Sequence, residues 1–340
     1  MKNDKKLKAS VVIPNYNSEK YIIGTLESLN NQTFKDFEVI VVDDGSTDKS
    51  AKLIKDFYSK FSLIVIKQKN SGPASARNLG AKNSKTNIII FLDSDCVPYP
   101  DFIEEMIKPF KNKEIVGVHG MYVTKNKNSF IARYIGYEMS FRQEKMKKAE
   151  RIDHMATHAA AYRKKDFGKG FSIGFRKADM EDIEFSYRLA KEGKKMIFCE
   201  SAKIKHPHPE SFIRFVKQQF SRGYWRVLGH IMHPDKLIND SYLGRSIAIQ
   251  GGLSLLFFAS IIIYFANIIF FRQINLVWLP LVFLLILYVS NINLGLYCWK
   301  YEKKMLFLAP IMAIIRSISA TLGFIFGFID FKIFALRDKK

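Results

Sequence analysis

Two carboxylates two residues apart, in Phe91-Leu-Asp-Ser-Asp95, close the short apolar run Ile88–Leu92. Hard divalent cations such as Mg2+ or Mn2+ take oxygen ligands, and Mg2+ is commonly held by one or two carboxylates together with substrate phosphates. A cation at Asp93 and Asp95 would neutralise the charge that develops on a departing diphosphate. Two acids in a loop can equally do no more than cap a turn. The segment VVDDGSTD (41–48) ends another apolar run with Asp43 and Asp44, acceptors suited to a base or a ribose. GPASARNLG (72–80) starts with a Gly-Pro turn and sets Arg77 on the helix that follows, where it meets a diphosphate or base, or forms a surface ion pair. In VVIPNYN (11–17), Pro14 ends a β-branched run and Tyr16 stands at its exit, placed to stack on a nucleobase or simply to pack. Later in the chain, Glu181 and Asp182 lie in the acidic opening of a helix (179–188), a position that the helix dipole favours. The HPHP run (206–209) offers two imidazoles, His206 and His208, as ligands for a transition metal or as caps for the next helix.

These groups need a scaffold, and the spacing predicts one. Strands are expected at 9–14, 38–43, 63–66 and 88–92, and another at 197–205 ahead of HPHP. Between them fall helical patterns, one carried by Tyr21, Ile22, Leu26 and Leu29, another over 47–60 with Ser46 or Thr47 as its N-cap. Strands alternating with helices imply an α/β fold with a mostly parallel central sheet. Ligands of such sheets bind beyond the carboxyl ends of the strands. The loops 14–17, 43–48 and 93–95 all follow apolar strands directly, so this rule gathers the same residues that the chemistry singled out.

VVIPNYN, VVDDGSTD, GPASARNLG and FLDSD, in this order and at these spacings, resemble a family 2 glycosyltransferase of the GT-A fold, over residues 9–230. That resemblance implies sugar transfer from a nucleotide-sugar donor, a UDP- or GDP-sugar, with Mn2+ or Mg2+ as cofactor. It places Pro14, Tyr16 and Asp44 in the donor site against the nucleobase, with Asp43 nearby. It sets Arg77 near the base or diphosphate, Asp93 on ribose or metal, and Asp95 on the metal. The acidic helix opening resembles the family's ED motif, which makes Asp182 the base for the acceptor hydroxyl with Glu181 beside it. A base must lie within about 3 Å of the proton it takes. One base, one metal and no nucleophile fit a single inverting displacement. A histidine beyond the base motif often completes the metal site in this family, so His206 or His208 is the expected ligand. THAAAYRKKDF (157–167), preceded by His154 and including His158, is similar to the stretch that lines the donor sugar and acceptor. The QxxRW motif of polymer-forming members is met only in part. Gln219 and Arg222 have its spacing, but Gly223 stands at the tryptophan position.

The 340 residues carry 53 Lys and Arg against 32 Asp and Glu, a net charge of +21, and 48% are hydrophobic. Disordered, collagen-like and disulfide-scaffold chains are excluded by that composition. The averages hide a break near residue 246. Ile247–Phe271 and Gln273–Trp299 are uncharged for 25 and 27 residues, longer than the ~20 that a membrane-spanning helix needs. A third apolar run, Met305–Ile329, is interrupted by Arg316, which must face protein, water or a lipid phosphate. The same run contains Gly323 and Gly327 in a GxxxG, which permits close helix contact. Residues 211–232 interleave aromatic and aliphatic residues with Arg214, Lys217, Arg222 and Arg226, the pattern of an amphipathic helix on a membrane surface. The basic stretch 133–151 is expected to supply an acceptor loop.

The expected organisation is a catalytic domain over 1–210, an interfacial helix and linker over 211–246, and two or three transmembrane helices over 247–340. The basic start MKNDKKLKAS leads into no apolar signal segment, so the catalytic domain is expected at the cytoplasmic face of the cell membrane. The single base near 272 and the bases of WKYEKK (299–304) agree with a positive-inside arrangement, whereas RDKK at 337–340 opposes it if all three runs span. Cys96, Cys199 and Cys298 show no CxxC or metal spacing and read as reduced thiols. The bases are spread throughout without a recognition motif, which points to anionic lipid rather than nucleic acid. No GxGxxG follows the first strand, against a nicotinamide enzyme. The expected partners are a nucleotide-sugar donor, a lipid-linked or glycan acceptor, and the membrane. The alternatives are a polyprenyl-phosphate sugar synthase, in which Arg316 or the bases near 222–226 hold the acceptor phosphate, a processive polysaccharide synthase, and a non-catalytic membrane-anchored binding protein.

Overall fold

The computed structural model of the chain describes residues 8–175, 180–237, 241–242, 244–271 and 276–337. Asp179, the Arg272 loop and residues 338–340, all used in the sequence reading, lie outside the described residues. The chain divides into two compact units, Met1–Asn126 with Gln143–Pro207, and Lys127–Arg142 with His208–Lys340.

The first unit is built on one eight-stranded sheet. Its strands are β1 (Ala9–Asn15), β2 (Phe37–Asp43), β3 (Ser62–Lys67), β4 (Ile88–Phe91), β5 (Val97–Pro98), β6 (Ile115–Thr124), β7 (Ala160–Arg163) and β8 (Lys195–His206), in the spatial order β3-β2-β1-β4-β7-β6-β8-β5. The β1–β2, β2–β3, β1–β4 and β6–β8 pairs are parallel, whereas β4–β7, β6–β7 and β5–β8 are antiparallel. The first helices are α1 (Ile22–Asn30), α2 (Ser50–Lys55), α3 (Pro73–Asn83) and α4 (Phe102–Ile107). They supply the alternation that the sequence implied. The central strands are near-continuous Val/Ile runs because both faces are covered, and every residue of β2 is buried. Pro14 pairs with Val42 on the β2 side, while the β1–β4 pairing ends at Val12, so the missing N–H of the proline faces no ladder.

Register decides which loops meet. Asn15 lies opposite Asp43, so the exits of β1 and β2 emerge side by side. Phe91 pairs with Ala160, which brings residues 157–159 to the end of β4. Val97 pairs with Lys205, which returns the end of β8 to the segment just after Asp95. The remaining helices of this unit are α6 (Lys164–Phe167), α7 (Glu181–Lys191) and the end of α5 (Phe130–Lys147). One expectation shifts: α2 begins at Ser50 rather than near 47. Ser46 and Thr47 bond instead to Asn17, and the Oδ1 of Asp48 accepts from the Ser50 N–H at 2.9 Å.

The second unit is helical and consists of the first part of α5, α8 (Phe212–Met232), α9 (Gly244–Ala266), α10 (Trp278–Ser290), α11 (Ile292–Trp299) and α12 (Met305–Arg337). The 133–151 stretch is therefore helix through Lys147, not a loop, in keeping with its Arg, Glu, Met and Lys content. Arg245–Phe270 and Met305–Phe331 are long and apolar enough to cross a membrane. The run Gln273–Trp299, unbroken in charge, is broken in structure: α10 and α11 meet at a 43° bend and count as one further span only if taken together. Asn291 sits at the bend, with its Nδ2 donating to the Leu287 carbonyl at 2.8 Å, the local competition by which Asn interrupts a helix. Arg316 faces protein. Its guanidinium pairs with Glu138 of α5 and with Gln250 of α9.

The helices α8 and α12 approach backbone to backbone. The space that a Cβ at Gly223 would need is filled by the Ala320 carbonyl oxygen, and the corresponding spaces at Gly323 and Gly327 are filled by the carbonyls of Phe220 and Tyr224. The Tyr224 hydroxyl donates to Asp330 at 2.6 Å beside this seam. The glycine that departs from the QxxRW pattern is thus a packing residue, since a tryptophan there would occupy the position of α12.

Candidate active site

The exits of β1 and β2 are locked together by buried polar side chains. The Asn15 Nδ2 donates to Asp43 at 3.0 Å and to Ser50 at 3.2 Å. Asn17 has a positive φ of 49° and accepts from the Thr47 N–H at 2.8 Å, joining the two loops. Asp44, also buried, accepts from the Gln68 Nε2 at 2.6 Å, the Ser71 N–H at 2.8 Å and the Gly72 N–H at 2.9 Å. Gly72 has φ +89°, open to glycine at little cost, and it starts α3. Asp44 therefore fixes the turn that launches the helix of Arg77. Tyr16 projects from this frame with 52% of its surface exposed.

Arg77 is the hub of the site. Its Nη1 donates to Glu181 at 2.6 Å and its Nη2 to Asp93 at 2.8 Å, with the arginine and the glutamate both almost fully buried. The guanidinium thus ties the end of β4 to the start of α7. Burial alone would lower the arginine pKa, but the charges of Asp93, Glu181 and Asp182 raise it above the ordinary value. Burial, and then the charge of Asp182, push the Glu181 carboxyl up to about 7 against the opposing pull of Arg77. The next residue, Asp182, is partly exposed. Its Oδ2 accepts from the Thr157 N–H at 2.9 Å and hydroxyl at 3.2 Å, and its Oδ1 accepts from the Ile183 N–H at 2.8 Å. Three donors hold that carboxylate in one orientation.

A second group of donors gathers beside it. Ligand atoms of Asp95, Cys96 and His206 all lie within 4.8 Å of one another. Burial raises the Asp95 carboxyl above its usual range, the nearby His206 opposes this, and the charge of Asp93 adds to it. A bound cation would relieve that crowding, so the residues suit a divalent metal. Aromatic and imidazole rings surround the group: His158 lies 5.3 Å from His206 and 4.4 Å from Tyr122, centroid to centroid, and His119 lies 5.8 Å from His158. His119 is buried, its Nδ1–H donates to the Ala159 carbonyl at 3.1 Å, and burial lowers its pKa to about 3.

The family model described as glycosyl transferase family 2 matches residues 10–171. Residues 10–171 form a glycosyl transferase family 2 domain. An uncharacterized glycosyltransferase of Rickettsia bellii is 42% identical over 115 residues, which cover 34% of this chain and 17% of that protein. An uncharacterized glycosyltransferase of Methanocaldococcus jannaschii is 24% identical over 263 residues, 75% of this chain and 87% of the relative. Among solved structures, a mannosyltransferase of Pyrobaculum calidifontis in complex with GDP-Man and Mn2+ matches with a TM-score of 0.63 at 14% identity, covering 96% of this chain and 88% of that one. The likeness is one of fold, a GT-A-type mixed α/β sheet followed by helices.

Within the family 2 domain, the structure brings together Arg77, Asp93 and, from beyond residue 171, Glu181, with Asp182 next along α7. It draws Asp95 to His206, while His208 belongs to the helical unit. Pro14, Tyr16, Asp43 and Asp44 cluster at the neighbouring strand exits, with Asp43 and Asp44 turned to internal partners. Sequence spacing did not point to Thr157 as the holder of Asp182, to Gln68 as a partner of Asp44, or to Cys96 as a candidate metal donor. A spacing rule looks for a second cysteine nearby, whereas the groups that converge with Cys96 come from the preceding residue and from the far end of β8.

Proposed function

We propose that the protein is a membrane-anchored inverting glycosyltransferase that moves a sugar from a UDP- or GDP-sugar to a lipid-linked or glycan acceptor at the cytoplasmic face. One observation carries this reading: Arg77 joins Asp93 of the DSD motif to Glu181 of the ED motif, so the donor end and the base end of the site form one connected unit. Asp182, oriented by Thr157, takes the proton of the acceptor hydroxyl. As the acceptor oxygen bonds to the anomeric carbon, the bond to the diphosphate breaks on the opposite side, and the proton remains on Asp182. Asp95 and His206 would hold a divalent cation, which would supply neutralising charge to the departing diphosphate. The GDP-Man and Mn2+ bound by the Pyrobaculum protein support a nucleotide-sugar and a metal of this class. Two helices of spanning length and apolarity support the anchor. The chain spans 17% of the length of the Rickettsia relative, so the activity rests on the site rather than on that match.

The polyprenyl-phosphate synthase alternative needs a cation for the acceptor phosphate, and Arg316 is already paired with Glu138. The test is a panel of UDP- and GDP-sugars with Mn2+ or Mg2+, using membranes and a lipid extract, followed by mass analysis of the product. An extended lipid-linked glycan is expected, whereas a sugar phosphodiester would favour the synthase. Asp182→Asn is expected to slow transfer by about 10²–10⁴-fold, the contribution of a positioned base, with donor affinity kept. Full activity in that variant overturns the assignment, and glycosylation of soluble acceptors alone removes the lipid-linked acceptor.

A further inference from the structure

The donor set beside the DSD motif is not all oxygen. Asp93 is engaged by Arg77, and the atoms that converge with Asp95 are an imidazole nitrogen from His206 and the thiol sulfur of Cys96. Cys96 is completely buried, its backbone N–H is tied to the Asp93 carbonyl at 3.2 Å, and its Sγ lies 3.6 Å from the Asp95 Oδ1. Its position follows from the fold: the thiol lies between Asp95 and β5, the strand whose pairing with β8 delivers His206. Mg2+ and Mn2+ favour oxygen donors, whereas Zn2+, Cd2+ and Co2+ accept carboxylate, imidazole and thiolate alike. Three protein donors with one position left open are the ligand count of reactive zinc sites.

We propose that Cys96 makes this a thiol-containing metal site that captures a thiophilic divalent cation, Zn2+ or Cd2+, in preference to Mn2+ or Mg2+. The inference rests on the metal-binding reading of Asp95 made above, but it adds a ligand and a selectivity that the transferase reading does not require. On capture the Cys96 S–H bond breaks, a sulfur–metal bond forms and the proton leaves to solvent. The thiophilic cation then occupies the donor site and excludes the oxygen-seeking one.

The experiment reads binding and not turnover. Purified full-length protein is titrated with Co2+ and followed for a thiolate-to-cobalt charge-transfer band in the near ultraviolet. A band saturating at one equivalent is expected, absent in Cys96→Ser and retained in Cys199→Ser. Zn2+ should release bound Mn2+, seen as the returning electron paramagnetic signal of the aqueous ion. The Zn2+ concentration required should rise in Cys96→Ser by at least about tenfold, the lower end of what outer partners of metal ligands contribute. Should Cys96→Ser fail to fold, zinc-edge absorption of the unsubstituted protein reads the same point, with one sulfur expected among the nearest scatterers. A shell of nitrogen and oxygen alone, no band with stoichiometric Co2+, or a band that survives in Cys96→Ser overturns the proposal. A cobalt–sulfur band in a protein that consumes no sugar nucleotide would leave this inference standing and remove the transferase reading. Mn2+-supported transfer without sulfur ligation would do the opposite.

Discussion

Asp44 and Glu181 show what single residues do in this site. Asp44 accepts two backbone N–H groups from the 68–72 turn, and removing it leaves those donors without their acceptor. Such bonds to a charged group contribute about 1.5–3 kcal/mol each. Asp44→Ala is expected to weaken nucleotide-sugar binding by about tenfold or more, measured by calorimetry, with Asp44→Asn intermediate. Glu181 titrates near 7 when folded, above its ordinary 4.5. Its folded-state carboxyl therefore holds a proton that the unfolded chain has already lost, and the stability this contributes is present below pH 4.5 and lost as pH rises through about 7. Glu181→Gln does not titrate, so its melting temperature relative to wild type should climb between pH 5 and pH 8, by about 3 °C. A difference that falls over this interval would show that the buried ion pair with Arg77 dominates instead. At this scale the acids were legible because motif spacing displays them. Their partners were not: Thr157, Gln68 and the Arg77–Glu181 pair meet across up to 104 residues of chain, and nothing local announces such a meeting.

Elements were readable where a run was apolar on all sides, as in β1, β2 and β4. They were misread where a polar residue chose between competing bonds. Asn291 splits the second apolar run, and Asp48, not Thr47, serves the start of α2. Gly223 was visible only as a missing tryptophan, because helix contact is set by the absent Cβ on one helix and by a carbonyl on another. Gly223→Trp and Gly323→Leu are each expected to separate α8 from α12. Overpacking of this kind costs about 1–3 kcal/mol or more. Fluorescence-detected size exclusion in detergent should show a smaller monodisperse fraction, with Gly251→Ala, where no atom lies within 4 Å of an added Cβ, as the unaffected control.

For the molecule as a whole, composition alone divides a basic N-terminal part from an apolar C-terminal part, but it does not show that Lys127–Arg142 groups with the helices. That segment supplies Glu138, and the helical unit closes on it: Arg316 pairs with Glu138 and Gln250, and Gln250 in turn donates to Asn291 at 2.9 Å. Arg142 also donates to Glu138 at 2.7 Å, so loss of Arg316 takes away one of two cations from that buried carboxylate, and the ~3–5 kcal/mol of a pair broken at one partner is the upper bound on the cost. Arg316→Met should accordingly lower detergent stability more than the double variant Arg316→Met/Glu138→Gln, and thermal melts of the three proteins check the order. A double variant less stable than the single would show that the two side chains act independently.

The same pair sets a timetable for biosynthesis. Glu138 leaves the ribosome 178 residues ahead of Arg316, so until α12 has been made the carboxylate has Arg142, one turn along α5, as its counterion. A nascent chain stopped after α11 would lack the cation that joins α5 to α12. Such a fragment should be a readier substrate for quality-control proteolysis than the finished chain.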